Sequence, residues 1–291
     1  MKIIKLVVLL LLSTMPLHAQ KNEVKITTEK LTDHIYVLKG QGGNIGLFVG
    51  EDAVFLIDDQ FAPLTNKILK AIKQITQKPV SYLVNSHWHG DHTGGNLNMA
   101  KEGALILAHE NVRKRMNTTA EIRGKIKQAS PKEALPVITF SDNMMLHINN
   151  EDILVAHVHN AHTDGDAIIY FTSNNVIHMG DTYFQGKFPY IDLNSGGHIN
   201  GVIASAEKVI LLADDETKII PGHGNVANRK QLIAYKNMLV DLKEKIQLEI
   251  DQGKTLAEVS KNNTITANYK LFNGWITEEK IRIAIYNSLI Q

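Results

Sequence analysis

The sequence predicts an α+β fold in which two mixed sheets lie face to face with helices on their outer sides. Short β-type runs bounded by Gly, Asn and Asp alternate with stretches whose apolar residues recur at helical spacing. That succession occurs in two similar halves, and no internal repeat or linker separates them. Composition agrees: 291 residues, 44% hydrophobic and 21% charged, are enough for a large core. A formal net charge of +1 offers neither the basic excess that nucleic acid requires nor an acidic tail for a basic partner, so the expected partner is a small molecule.

The first twenty residues, MKIIKLVVLLLLSTMPLHAQ, carry the lysines Lys2 and Lys5, the apolar run 6–12 and the small Ala19 of a signal peptide. The run is shorter than the roughly 20 residues a membrane-spanning helix needs. Cleavage after Ala19 is expected, leaving residues 20–291 as one exported domain, periplasmic or secreted, without a stable membrane anchor. The chain has no cysteine. Disulfides and a lipidated N-terminal Cys are therefore excluded, and any metal must be held by nitrogen and oxygen.

Four short runs follow, VKITT, HIYVLKG, NIGLFVG and AVFLIDD, which read as sequential antiparallel strands. Residues 63–76 place Leu64, Ile68, Leu69, Ile72 and Ile75 on one helical face with lysines opposite. The strand PVSYLVNS then ends at a histidine cluster. A strand at ALILAHE, a helix over 110–116 and a polar connection through Pro131 and Pro136 lead to the strands MMLHI, DILVAHVH, AIIYFTS and NVIHMGD. The loop 182–200 is rich in Gly and aromatics and leaves a strand end, the place where substrate walls are commonly built. A helix containing Val202, Ala206 and Val209, a strand at TKII and a mostly helical region from about residue 227 complete the chain.

The stretch SHWHGDHTGGN, residues 86–96, holds three of the thirteen histidines and an aspartate. In extended backbone the side chains of His87 and His89 point the same way, so they can share one ion provided the segment is not helical. A turn at Gly90 would aim Asp91 and His92 at a second point nearby. Imidazole and carboxylate without thiolate suit Zn²⁺, and also Fe or Mn. The loop cannot complete either coordination shell. The remaining candidates stand at predicted strand ends beside small residues: His162 in NAHTDGD, Asp181 in HMGDTY and His223 in PGHGN.

At this point the sequence resembles the metallo-β-lactamase superfamily. His87-Trp88-His89-Gly90-Asp91-His92 matches its H-x-H-x-D-H motif, and His162, Asp181 and His223 match its later ligands in family order. The resemblance implies a four-layer αββα sandwich with two Zn²⁺ per chain at one edge. His87, His89 and His162 would hold the first ion, Asp91, His92 and His223 the second, and Asp181 would bridge them. It further implies a metal-bridging hydroxide as nucleophile, with Asp91 as proton shuttle. Two Zn²⁺, two carboxylates and a hydroxide leave a net charge of about +1, which favours substrates that develop an oxyanion.

The expected function is an exported dizinc hydrolase of amide, lactam, ester or lactone bonds, with a β-lactam as one candidate substrate. The best-known zinc β-lactamases place a Cys at the second metal, and this chain has none, so the bridging Asp181 equally fits a thioester hydrolase of the glyoxalase II type. A mononuclear iron persulfide dioxygenase shares much of the motif. A metal-binding sensor module is the non-enzyme alternative, whose mark would be a missing ligand. Other residues receive lesser roles: Asp58 as a partner orienting a ligand or, equally, a strand-end turn residue, His157 and His159 as structural or ligand-supporting, and His109, His147, His178 and His198 as ordinary. Trp88 reads as core packing, and Tyr183, Phe184, Phe188 and Tyr190 either as pocket lining or, equally, as an aromatic loop packed on itself.

Overall fold

In a computed structural model, residues 23–122 and 125–291 are described. The expected signal peptide, residues 1–19, lies outside them. The first sheet begins with β1 (Thr27–Lys30), β2 (Ile35–Lys39), β3 (Ile45–Val49) and β4 (Val54–Ile57), joined antiparallel in that order. It continues in parallel through β5 (Tyr82–Val84) and β6 (Leu105–His109). A separate hairpin, β7 (Ala120–Ile122) and β8 (Lys125–Lys127), precedes β9 (Ile138–Phe140), which closes the first sheet beside β6. The second sheet is β10 (Asn143–Ile148), β11 (Glu151–His157), β12 (Ala167–Phe171), β13 (Val176–His178) and β14 (Lys218–Ile220), and only its last pair is parallel.

Parallel neighbours need crossovers, and helices supply them. α1 (Thr65–Lys73) links β4 to β5, and α2 (Gly90–Thr93) and α3 (Asn96–Lys101) link β5 to β6. α4 (Glu110–Met116) follows β6, and α5 (Ile199–Leu212) joins β13 to β14. The C-terminal region comprises α6 (Arg229–Asp251), α7 (Leu256–Lys261) and α8 (Glu278–Leu289). Reciprocal side-chain caps, Asn228 with Gln231 and Thr255 with Glu258, start α6 and α7 by satisfying their first free N–H groups. Among the described residues no helix is long and apolar enough to cross a membrane.

Alternation along the strands builds the layers. Phe48, Phe55 and Ile57 meet Val155, Ile169 and Phe171 between the sheets. Their neighbours Leu47, Leu56 and Leu83 turn outward onto Ile68, Ile72 and Met99. On the opposite side Ile168, Ile177 and Ile219 pack against Val202, Ala206, Leu239 and Leu242. The expected αββα order is therefore present. Two details differ from the sequence reading. The first strand begins at Thr27 rather than at the start of VKITT, and the polar connection after α4 contains β7, β8 and β9. Three-residue strands are too short to show a period.

Candidate metal centre

The centre forms at the C-terminal end of β5, between parallel neighbours. Beyond Val84 the chain bends through residues 86–88 without becoming helical, and His89 is extended at φ −65° and ψ 149°; His87 and His89 share a side as expected, their ring centroids 4.9 Å apart. His92, by contrast, lies within the short helix α2. Gly90 is not sterically required: a Cβ there would meet nothing within 4 Å. The close approaches are at Gly43, where a Cβ would stand 2.1 Å from His92 Cε1, and at Gly222, where it would stand 2.0 Å from Asp181 Oδ1. Only glycine lets these two backbones lie against the site.

All seven candidate side chains converge. One group is His87, His89, His162 and Asp181; the other is Asp91, His92 and His223, and within each the candidate ligand atoms lie within 4.8 Å of one another. Asp181 reaches both. Its Oδ2 is 3.6 Å from His162 Nε2 and 3.8 Å from His87 Nε2, while its Oδ1 is 3.1 Å from His92 Nε2 and 3.4 Å from His223 Nε2. Asp91 Oδ2 lies 3.3 Å from His223 Nε2 and 3.7 Å from His92 Nε2. Tetrahedral coordination with 2.0–2.1 Å bonds separates ligand atoms by roughly 3.3 Å. The spacing therefore fits one ion per group.

The nitrogens facing away from the centre determine which lone pairs face in. His92 Nδ1–H donates to Asp58 Oδ2 at 2.7 Å, and His162 Nδ1–H to the Tyr190 carbonyl at 2.7 Å. Ser86 Oγ–H donates to Asp58 Oδ2 at 2.7 Å and so accepts from His87 Nδ1, 3.1 Å away. For His89 the arrangement is reversed: Nε2 donates to Asp192 Oδ2 at 2.9 Å and Nδ1 faces inward. Such outer partners fix tautomer and ring orientation. They leave His89 Nδ1 and His162 Nε2 facing each other at 2.8 Å, two lone pairs that repel unless a cation or proton lies between them. His87 Nε2, His92 Nε2 and Asp181 Oδ1 are likewise buried without a hydrogen bond. This donor set fits metal ions.

Proton affinities divide along the same lines. Burial lowers His87 well below, and His162 to about 4 from, the usual histidine range. Burial acts the same way on His223 and His92 but is overridden. The charge of Asp181, with the Asp181 and Asp91 carboxylates 3.4 and 3.3 Å from Nε2, raises His223 to about 9; Asp181 and Asp58 raise His92. For Asp91 and Asp192 burial is outweighed by neighbouring histidines, and both fall to about 2.

The turn beneath the ligand loop is strained. Asp58 and Gln60 hold left-handed φ values of 62° and 56°. Asp59 N–H donates to the His92 carbonyl, and Gln60 Nε2 to the Gly43 carbonyl. Asp58, read from sequence as an orienting partner, thus serves His92 directly and His87 through Ser86.

His157 stacks on His109 at 3.8 Å, and His109 and His198 cap α4 and α5. The four aromatics divide between the two alternatives: Tyr183 is buried against Tyr235 in the core, whereas Phe184, Phe188 and Tyr190 line a cavity over the centre. Trp88 lies in a small core with Val112 and Met116 and also lines that cavity. Ser86, Asp192, Trp275 and Lys127 were missed by the sequence reading. Asp192 lay within the loop 182–200 as a carboxylate, with no local signal tying it to His89.

A family model of the metallo-beta-lactamase superfamily matches residues 38–223. That is more than half of the chain and includes all seven side chains. The chain belongs to this superfamily. It is 25% identical over 175 residues to the alpha subunit of a 2,4-dinitroanisole O-demethylase from a Nocardioides species, covering 59% of this chain and 50% of that protein. It is 24% identical over 169 residues to a hydroxyacylglutathione hydrolase from a Polaromonas species, covering 57% of each. The chain thus spans little more than half the length of these curated relatives. A metallo-beta-lactamase from Pontibacter korlensis shares the fold, with a TM-score of 0.63 at 15% identity over 75% of this chain and all of that one.

Proposed function

We propose that the protein is an exported dizinc hydrolase that cleaves an amide, lactam, ester or lactone bond in a small molecule, with β-lactams among the candidate substrates. The observation that carries this reading is the division of Asp181: each carboxylate oxygen faces a different histidine group at the floor of one cavity. His87, His89 and His162 would hold one ion, Asp91, His92 and His223 the other, and Asp181 both. Zinc in such a site supplies Lewis-acid polarisation and a bound water whose pKa falls toward about 7. The chain contributes orientation and proton handling. Asp58, Ser86, Asp192 and the Tyr190 carbonyl keep the imidazole lone pairs aimed inward. Asp91 is partly exposed on the cavity side, where its free oxygen can receive a proton from water and deliver it to a leaving group.

The relative named as a hydroxyacylglutathione hydrolase favours a second reading, thioester hydrolysis. Purified zinc-loaded protein assayed with a chromogenic cephalosporin, a lactone and an S-acyl thiol separates the two. Metal analysis accompanies it: two zinc ions per chain are expected, and one iron would point to a mononuclear oxygenase instead. Absence of turnover of every carbonyl substrate, with metal bound, overturns the hydrolase reading.

A further inference from the structure

The cavity over the centre has a volume of about 550 Å³, the size of a drug-like ligand site. Its wall is largely apolar: Trp88, Phe184, Phe188, Tyr190, Trp275 and Ile276. Of the ionisable side chains that line it, His89, Asp91, Asp181 and His223 belong to the centre, and Asp192 is committed to His89. Among the described lining residues the charged side chains left over are Lys127 and Lys187, and both are cations.

Lys127, from β8, holds its Nζ 4.3 Å from the centroid of the Trp88 ring. Trp88 in turn stands 5.0 Å from the His89 ring, which keeps that ammonium within roughly 9 Å of the His89 ring, on the lining of the same cavity. A second cation, Arg115, lies 6.0 Å from the same indole, but it is neutralised by Asp164 through bonds of 2.6 and 2.7 Å. Lys127 makes no ion pair or hydrogen bond among the described residues. A half-buried ammonium seated on an aromatic face, with no counter-ion among the described residues, is a ready partner for an anion.

Resting on the hydrolase reading, we propose that Lys127 sets substrate class: it binds a carboxylate that the substrate carries away from the scissile bond, on an otherwise apolar body. Lys187, exposed and also lining the cavity, adds positive field but not the fixed seat. A neutral substrate would leave the Lys127 donors to water, and a cationic one would meet two like charges.

The test compares 4-nitrophenyl monoglutarate with the neutral 4-nitrophenyl pentanoate on the zinc-loaded full chain. The ratio of their kcat/KM values should favour the anionic ester about tenfold, as one charge-assisted contact predicts. Lys127→Met should collapse that ratio, and Lys127→Arg should restore most of it. A wild-type ratio near one, or a ratio unchanged by Lys127→Met, overturns the assignment while leaving the hydrolase reading intact. If neither ester is turned over, the hydrolase reading is in difficulty, and binding decides on Lys127 separately. Tryptophan fluorescence then compares 2-naphthylacetate with 2-naphthylacetamide. Lys127→Met should weaken the acid-over-amide preference about tenfold, and an unchanged preference overturns the proposal.

Discussion

Replacing Asp58 by Asn tests whether a residue that bonds His92 directly and His87 only through Ser86 controls both groups of candidate ligands. Asp58 Oδ1 accepts from Ser86 N–H at 2.7 Å, and Oδ2 accepts from both Ser86 Oγ–H and His92 Nδ1–H at 2.7 Å. An amide can satisfy one side only. Its NH2 must face at least one of these donors, and the easiest relief is for His92 to move its proton from Nδ1 to Nε2. That proton would occupy the lone pair directed at Asp181 and the second-ion group. Loss of such an outer partner typically weakens metal binding 10–100-fold, or about 1.4–2.7 kcal/mol. The second ion should suffer more than the first, because His87 is reached only through Ser86. Asn is the informative replacement, since it tolerates the left-handed backbone at φ 62° that other residues resist. Competition against a chromophoric zinc chelator measures both affinities. Two zinc ions held by Asp58→Asn at wild-type strength would refute the reasoning.

Three further outcomes follow from the same geometry. Asp192→Ala frees His89 Nε2, bonded at 2.9 Å, and should lower first-ion affinity about tenfold with little effect on the second; equal loss at both ions would contradict the assignment. In Gly43→Ala the new Cβ would stand 2.1 Å from His92 Cε1, so a loss of about 1–3 kcal/mol in stability and of the second ion is expected by thermal melting and metal analysis. An unchanged variant would disprove the close approach. For pH, His223 in the metal-free protein is raised from 6.5 to about 9, burial opposing and Asp181 prevailing. Its contribution to stability is therefore complete below pH 6.5 and lost as pH rises through about 9. Metal must displace that proton, so second-ion affinity should climb over the same window with measurable proton release. Calorimetry in buffers of different ionisation enthalpy detects it, and pH-independent affinity would count against it.

The one-faced apolar pattern of α1 told which side of that helix is buried, because side-chain direction repeats every 3.6 residues, and the apolar runs of β11 and β12, buried along most of their length, read as strands inside a sandwich. From these the layered sandwich was legible. The chemistry of the centre was legible too: a loop crowded with imidazoles and a carboxylate, in a chain without thiols, has few other uses. Strand-end positions beside small residues singled out His162, Asp181 and His223 as candidates, and the family resemblance assigned them to the two ions. What periodicity could not reveal was the set of contacts made when distant segments close on one another. Asp192 meets His89 across 103 positions, and Tyr183 turns into the core while the adjacent Phe184 turns to the cavity. Lys127 reaches Trp88 from a three-residue strand too short to carry a signal. The sequence alone determined the kinds of ligand and the faces to be buried, since both are properties of residue type and local spacing. Tertiary structure decided which nitrogen of each histidine looks inward and which charges remain free in the cavity, since those depend on distances between segments that local spacing does not encode.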